Sequence, residues 1–186
     1  VCVLFTDIVS YSKIAKTYMD IVVFMILKDM YTRFDKLIQN YSSLQKIETI
    51  GDSYMVVGDL NNQYDSQIII KEILEFAEKL IVETKNIVAP SYKLELRIGI
   101  HIGSVQLGIL GIDKPRLCVI GNTVNVSARL QTSTLPDTIQ ISEKLYLNIE
   151  DNDIKEKYIK KNDVELKNIC KMNTYVRNII IEDEKY

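Results

Sequence analysis

Two aspartates sit where apolar strands give way to turns, a setting in which carboxylates can hold a metal ion. Asp7 ends the run Val3-Leu4-Phe5-Thr6-Asp7-Ile8-Val9, and Asp52 follows Lys46-Ile47-Glu48-Thr49-Ile50-Gly51 and precedes Ser53-Tyr54-Met55-Val56-Val57. The β-branched, aromatic and other apolar residues around Gly51-Asp52 read as a two-strand hairpin. Gly51 can supply the positive φ such a turn uses, which fixes Asp52 at the tip by backbone geometry. Carboxylates at the ends of two neighbouring strands make a hard-oxygen site for Mg2+ or Mn2+. Taken singly, each Asp reads first as a residue that caps a turn. Asn125 and Arg129 form a second pair: four apart on a predicted helix, they share one face, although alone they would be ordinary surface residues.

The elements that must carry these residues follow from periodicity. Residues 1–6 read as a buried strand, and residues 7–12 turn into a short helix ending at Tyr18, with Asp20 as N-cap of the next. Val23, Leu27, Met30, Phe34 and Leu37 recur at helical spacing over 21–40, and Ile69, Ile73, Phe76, Leu80 and Ile81 do so over 66–87. Leu94, Leu96, Ile98, Ile100 and Ile102 alternate with Lys93, Glu95, Arg97 and His101, as in a strand with one polar face. Gly103-Ser104 is expected to turn that strand into a hairpin partner over 105–110. A strand at 117–120 leads through Gly121-Asn122 into a helix reaching Leu130. The tail reads as strands at 138–141, 158–166 and 171–180 with a short helix at 143–148. The expected class is α+β, a mixed or antiparallel sheet with helices packed on it.

Bulk composition narrows the function. The chain of 186 residues suits one domain with a sizeable core, so residues 1–186 are expected to be a single domain. Charged residues make up 26% and the net charge is −2, which gives no basic field for nucleic acid. Cys2, Cys118 and Cys170 are odd in number and widely spaced, with neither disulfide nor zinc pattern, so a reducing, cytoplasmic setting is expected. No apolar run suits a membrane span, so no membrane contact by this domain is expected. A start at Val1 fits a domain cut from a longer protein, which leaves open a membrane tether elsewhere and a place on the cytosolic face. His101, the one histidine, has no Cys or His beside it, and a structural or solvent-facing role outweighs that of ligand or general base.

Four segments together resemble the class III nucleotidyl cyclase catalytic domain. They are Phe5-Thr6-Asp7-Ile8-Val9, Glu48-Thr49-Ile50-Gly51-Asp52-Ser53-Tyr54, Arg97-Ile98-Gly99-Ile100-His101-Ile102-Gly103, and Gly121-Asn122-Thr123-Val124-Asn125-Val126-Ser127-Ala128-Arg129. They stand in the family's order and span essentially the whole chain. The resemblance implies a ferredoxin-like βαββαβ sheet, and a dimer that converts a nucleoside triphosphate into its 3′,5′-cyclic monophosphate and pyrophosphate. It also implies two divalent cations, Mg2+ or Mn2+, on Asp7, Asp52 and the Ile8 carbonyl. Val9, Ser10, Tyr11 and Ser12 would meet phosphate through the N–H groups of a helix start; the family commonly has Gly-Phe at Ser10-Tyr11. Asn125 would orient the ribose and Arg129 would meet charge growing on the α-phosphate. Lys167 matches a lysine for the terminal phosphate, but Asn168-Ile169-Cys170 replaces the usual Gly-Lys-Gly, and an exposed strand lysine competes with that role.

Base choice turns on Glu48 and Cys118. Guanylyl members of the family carry Glu and Cys at the two base-reading positions, and adenylyl members typically carry Lys and Asp. A carboxylate accepts from guanine N1–H and the 2-amino group but faces a lone pair on adenine N1. Cys118 leaves room for O6, or is simply a small buried hydrophobe. GTP is the expected substrate, with an adenylyl cyclase of atypical pocket and a silent regulatory or dimerisation domain as alternatives. The partner is a second copy or a different cyclase domain, as in some protozoan guanylyl cyclases.

Overall fold

The computed structural model describes residues 1–90 and 92–179. In chain order the elements are β1 (Cys2–Ile8), α1 (Tyr11–Thr17), α2 (Asp20–Ile38), β2 (Leu44–Ile50), β3 (Ser53–Gly58), α3 (Ser66–Lys85), β4 (Leu96–Ile102), β5 (Gln106–Leu110) and β6 (Arg116–Ile120). They continue as α4 (Asn122–Ser133), β7 (Thr138–Ser142), α5 (Glu143–Asn148), α6 (Asn152–Lys155), β8 (Ile159–Leu166) and β9 (Cys170–Asn178). Ile180, expected to end the last strand, lies outside the described residues. The main sheet has the order β2-β3-β1-β4-β7-β9-β8, and only β4 and β7 run parallel. Its first four strands, with the helices between them, form the expected ferredoxin-like βαββαβ unit, extended by β7, β9 and β8.

Alternation on the central strands feeds two layers. Leu4, Tyr54, Val56, Ile98 and Ile100 face α2 and α3, where Met30, Phe34, Ile73, Phe76, Leu80 and Ile81 are buried. Each such fully buried side chain contributes about 1.5–3 kcal/mol relative to exposure, so this layer holds the helices on the sheet. Val3, Met55 and Val57 face the opposite way and pack with Val119, on the side that carries α4. Among the described residues no helix is long and apolar enough to cross a membrane.

The 105–110 segment does not pair with the strand before it. Both edges of β4 are already taken, by β1 and β7, so β5 pairs instead with β6 in a separate two-stranded ribbon. His101 is likewise not on a solvated face. It is 9% exposed, and its Nδ1 shares a 2.7 Å hydrogen bond with Ser142 Oγ, the N-cap of α5. Its role in the fold is structural.

Candidate active site

The first group of site residues gathers around the ends of β1 and β3. Thr6 pairs with Tyr54, and Ile50 with Ser53, so Gly51 and Asp52 form a two-residue loop at the tip of the β2–β3 hairpin. Gly51 takes φ +61°, the first position of a II′-type turn. Asp52 Oδ2 accepts from the Ile8 N–H at 3.0 Å, which brings the hairpin tip against β1 immediately beside Asp7. Burial raises the Asp52 pKa; the Ile8 N–H lowers it, the Asp7 charge raises it further, and Arg97 lowers it. The two carboxylates therefore feel each other.

Arg97 is the member of this group that sequence periodicity missed. It lies opposite Asp7 on β4, and its Nε and Nη2 donate to the Asp7 carboxylate at 2.9–3.2 Å. Its Nη1 reaches the Thr132 carbonyl near the end of α4 at 3.5 Å. Two negative charges and one positive leave a net negative site. Among the described residues no group of three or more His, Cys, Asp or Glu side chains could hold a metal. A cation here would thus have two carboxylates and would complete its shell with water and substrate phosphate, as Mg2+ commonly does. The donor set fits that use: hard oxygens, excess negative charge, and a carboxylate whose ionisation burial disfavours.

The turn after β1 is narrower than expected as a phosphate cradle. The Val9 N–H donates to the Glu95 carbonyl at 2.9 Å, so it is spent on the backbone of the neighbouring strand. Tyr11 and Ser12 open α1, where the first amides have no acceptor within the helix. Tyr11 lies close enough to Asp52 for that charge to raise its pKa, second to burial.

A second group lies on α4 and the β8–β9 turn. Asn125, Arg129 and Lys167 line one open hollow of about 660 Å3, together with Asn122, Ala128, Asn168 and Ile169. None of these residues belongs to the carboxylate group. Among the described residues neither Arg129 nor Lys167 has a carboxylate partner. The helix is held tightly to the sheet. Ser127 Oγ donates to the buried Val3 carbonyl at 2.7 Å, and a Cβ on Gly99 would collide with the Gln131 nitrogen and the Ser127 carbonyl. With Val126, Ser127 and Leu130 buried, Asn125 is left exposed and Arg129 half-buried.

Glu48 reaches its face through a β-bulge. Lys46 pairs with Val56, on the α2 side, and its Nζ donates to both Asp35 oxygens at 2.8 Å. Strict alternation would send Glu48 the same way. The register shifts between Lys46 and Glu48, however, so Glu48 pairs with Met55, on the side where Ile47, Met55 and Val119 cluster. Bulges of this kind re-aim side chains. Cys118, half-buried, sits on β6, which packs beside β2.

The description "Adenylate and Guanylate cyclase catalytic domain" matches residues 1–178. The chain belongs to that cyclase family. It is 36% identical over 158 residues to the soluble guanylate cyclase gcy-31 of Caenorhabditis elegans, covering 82% of this chain and 22% of that protein. It is 30% identical over 187 aligned positions to the guanylate cyclase soluble subunit beta-2 of Rattus norvegicus, covering 98% of this chain and 27% of that protein. The chain thus spans about a quarter of the length of these relatives. Among solved structures, it superposes on the guanylate cyclase domain of RhGC from Catenaria anguillulae, solved in complex with GTP. The TM-score is 0.83 at 26% identity, covering 97% of this chain and 96% of that one.

Two of the positions at which this cyclase domain lacks the family's glycine, Ser10 and Asn168, fall on left-handed backbone. Ser10, at the usual Gly, has φ +57°, a conformation that costs a non-glycine residue roughly 1–2 kcal/mol. Its carbonyl accepts from Lys13 and Ile14 at 2.8 and 3.2 Å, which starts α1 from that strained residue. Asn168, which follows Lys167, has φ +62° in the turn joining β8 to β9. Asn is among the non-glycine residues that visit this region most readily, so the turn keeps its shape without glycine.

Proposed function

We propose that this domain is a guanylyl cyclase that converts GTP into 3′,5′-cyclic GMP and pyrophosphate. The observation that carries the reading is the convergence of Asp7 and Asp52 at the β1–β3 end, with Arg97 offsetting part of their charge. Asp7, Asp52 and the Ile8 carbonyl would hold two divalent cations, Mg2+ or Mn2+. Such ions favour ionisation of the ribose 3′-hydroxyl and balance charge on departing pyrophosphate.

The protein's own groups account for the rest. The 3′-oxygen forms a bond to the α-phosphorus as the bond to the bridging oxygen of pyrophosphate breaks, and the hydroxyl proton is released. Arg129 meets the negative charge that builds on the α-phosphate, where a planar donor fork that stays charged is well suited. Asn125 orients the ribose, Lys167 takes the terminal phosphate, and the amides at Ser10, Tyr11 and Ser12 take further phosphate oxygens. Glu48 accepts from the guanine N1–H and 2-amino group, with Cys118 leaving room for O6. The names of the relatives, all guanylate cyclases, point to the same base.

The carboxylate group and the α4 group form separate surfaces of one chain, which supports active sites made between two domains. A second copy of this chain supplies both groups under a two-fold axis, and a non-identical cyclase domain is the other candidate partner. The ribbon favours such pairing, because Leu107, Ile109, Leu110, Leu117 and Ile120 are exposed on it. The test is product formation from GTP and from ATP in separate reactions with Mn2+, across protein concentration. Cyclic GMP formation whose rate per milligram rises with concentration is expected. A preference for ATP sinks the guanine assignment. No turnover with either nucleotide at any concentration, alone or paired with another cyclase domain, together with no Mn2+-dependent nucleotide binding, sinks the enzyme.

A further inference from the structure

Tyr31, on α2, touches the hairpin tip. Its hydroxyl donates to the Gly51 carbonyl, and the Ser53 carbonyl lies 3.4 Å from the same oxygen. One phenol O–H is therefore shared between backbone carbonyls on both sides of Asp52, short to Gly51 and long to Ser53. The ring is itself fixed: it stacks on Tyr54 with centroids 6.0 Å apart and planes 25° off parallel. Tyr54 in turn donates to Asp35 Oδ1 at 2.7 Å and meets Phe34 edge-on at 5.4 Å.

The loop requires such a restraint. Gly51 takes φ +61°, and apart from its chain neighbours no atom lies within 4 Å of where its Cβ would stand, so that side of the residue is open. Glycine is also the residue with the widest backbone freedom. The Ile8 N–H fixes the Asp52 carboxylate against β1, but it does not fix the backbone from which that carboxylate springs. Burial, the Asp52 charge and Tyr11 all push the Tyr31 pKa up, which keeps its hydroxyl a donor.

We infer that Tyr31 is a positioning residue for Asp52: by clamping the Gly51 and Ser53 carbonyls it sets the aim of that carboxylate toward a divalent cation. The inference rests on the metal assignment given above. A plain packing role would hold α2 to the hairpin without tuning metal affinity, and the two roles separate experimentally.

The experiment measures Mn2+ binding directly, by electron paramagnetic resonance of free Mn2+, with 3′-deoxy-GTP present so that no cyclisation occurs. Tyr31→Phe removes only the clamping hydroxyl. Tyr54→Phe keeps the ring stack and the clamp but loses the bond to Asp35, and so serves as a control of similar size. Tyr31→Phe is expected to bind Mn2+ roughly 10-fold more weakly, in the range for loss of a group supporting a metal ligand, with Tyr54→Phe unchanged. Equal affinity of Tyr31→Phe and wild type, or equal weakening in both variants, overturns the proposal. If the wild-type domain binds no Mn2+ under these conditions, the metal assignment of Asp7 and Asp52 itself falls, and the role of Tyr31 falls with it.

Discussion

Arg97 clasps Asp7 across the β1–β4 ladder, with Nη2 2.9 Å from Oδ2 and both Nε and Nη2 on Oδ1. The pair is partly buried, at 27% and 17% side-chain exposure. It neutralises one of two carboxylates that otherwise repel, which is the task a bound cation would share. Arg97→Gln should therefore lower the stability of the metal-free domain by about 1–3 kcal/mol. Mn2+ should restore more stability to the variant than it adds to wild type. Urea unfolding with and without Mn2+ checks this, and an equal gain in both proteins would mean that Arg97 does not balance the aspartates.

Base selectivity should follow the bulge-directed face of β2. Lys46 is committed to Asp35 on the other side, which leaves Glu48 as the proposed base reader. Glu48→Lys combined with Cys118→Asp should weaken use of GTP and permit ATP. Sites of this kind discriminate by as much as about 10⁴–10⁵. The GTP to ATP ratio of kcat/KM measures the effect, and an unchanged ratio in the double variant counts against both readers.

Close approach of α4 to the sheet should matter to turnover as well as stability. In Gly99→Ala the new methyl would meet backbone atoms of Ser127 and Gln131, which cannot swing aside, so α4 must move and take Asn125 and Arg129 with it. Overpacking of this kind costs about 1–3 kcal/mol. Ser127→Ala loses only the bond to the Val3 carbonyl, at about 1 kcal/mol, and leaves the helix where it is. Urea melts with steady-state rates should show turnover falling far more in Gly99→Ala. Wild-type turnover in that variant would contradict the positioning role.

These relationships mark the limit of what the sequence could disclose. Long apolar periodicities made α2 and α3 legible, and the Gly51-Asp52 step made the hairpin legible, because both signals are local. Arg97 read as one of several polar residues alternating along a strand, since its partner lies 90 positions away. The β5–β6 ribbon is hidden in the sequence because Gly103-Ser104 looks like a hairpin turn; the occupation of both β4 edges rules that out. The bulge at Lys46–Glu48 breaks the alternation from which a side chain's face is inferred. Ser10 and Asn168 stood out as departures from a family pattern, but their left-handed backbone was not visible in their identity.

His101 should give the fold a distinct acid response. Burial, aided by the Lys144 charge, pushes its pKa down from 6.5 to about 4. The unfolded chain therefore binds the proton more readily, so this residue's contribution is fully present above pH 6.5 and is lost as pH falls toward about 4. Unfolding free energies across that range should fall more steeply with acid in wild type than in His101→Gln. Parallel curves for the two proteins would show that the buried imidazole does not carry the effect.

Complementation between two inactive variants tests the shared site most directly. Asp52→Asn removes a proposed metal carboxylate, and Arg129→Ala removes a proposed donor whose loss alone should cost roughly 10²–10³ in turnover. If a second copy completes each site, a mixed dimer holds one site with both residues intact. Equal mixing and re-association should then restore cyclic GMP formation to about a quarter of wild type, since about half the dimers are mixed and each has one of two sites intact. A mixture no more active than the average of the separate variants would contradict a site shared between two copies of this chain.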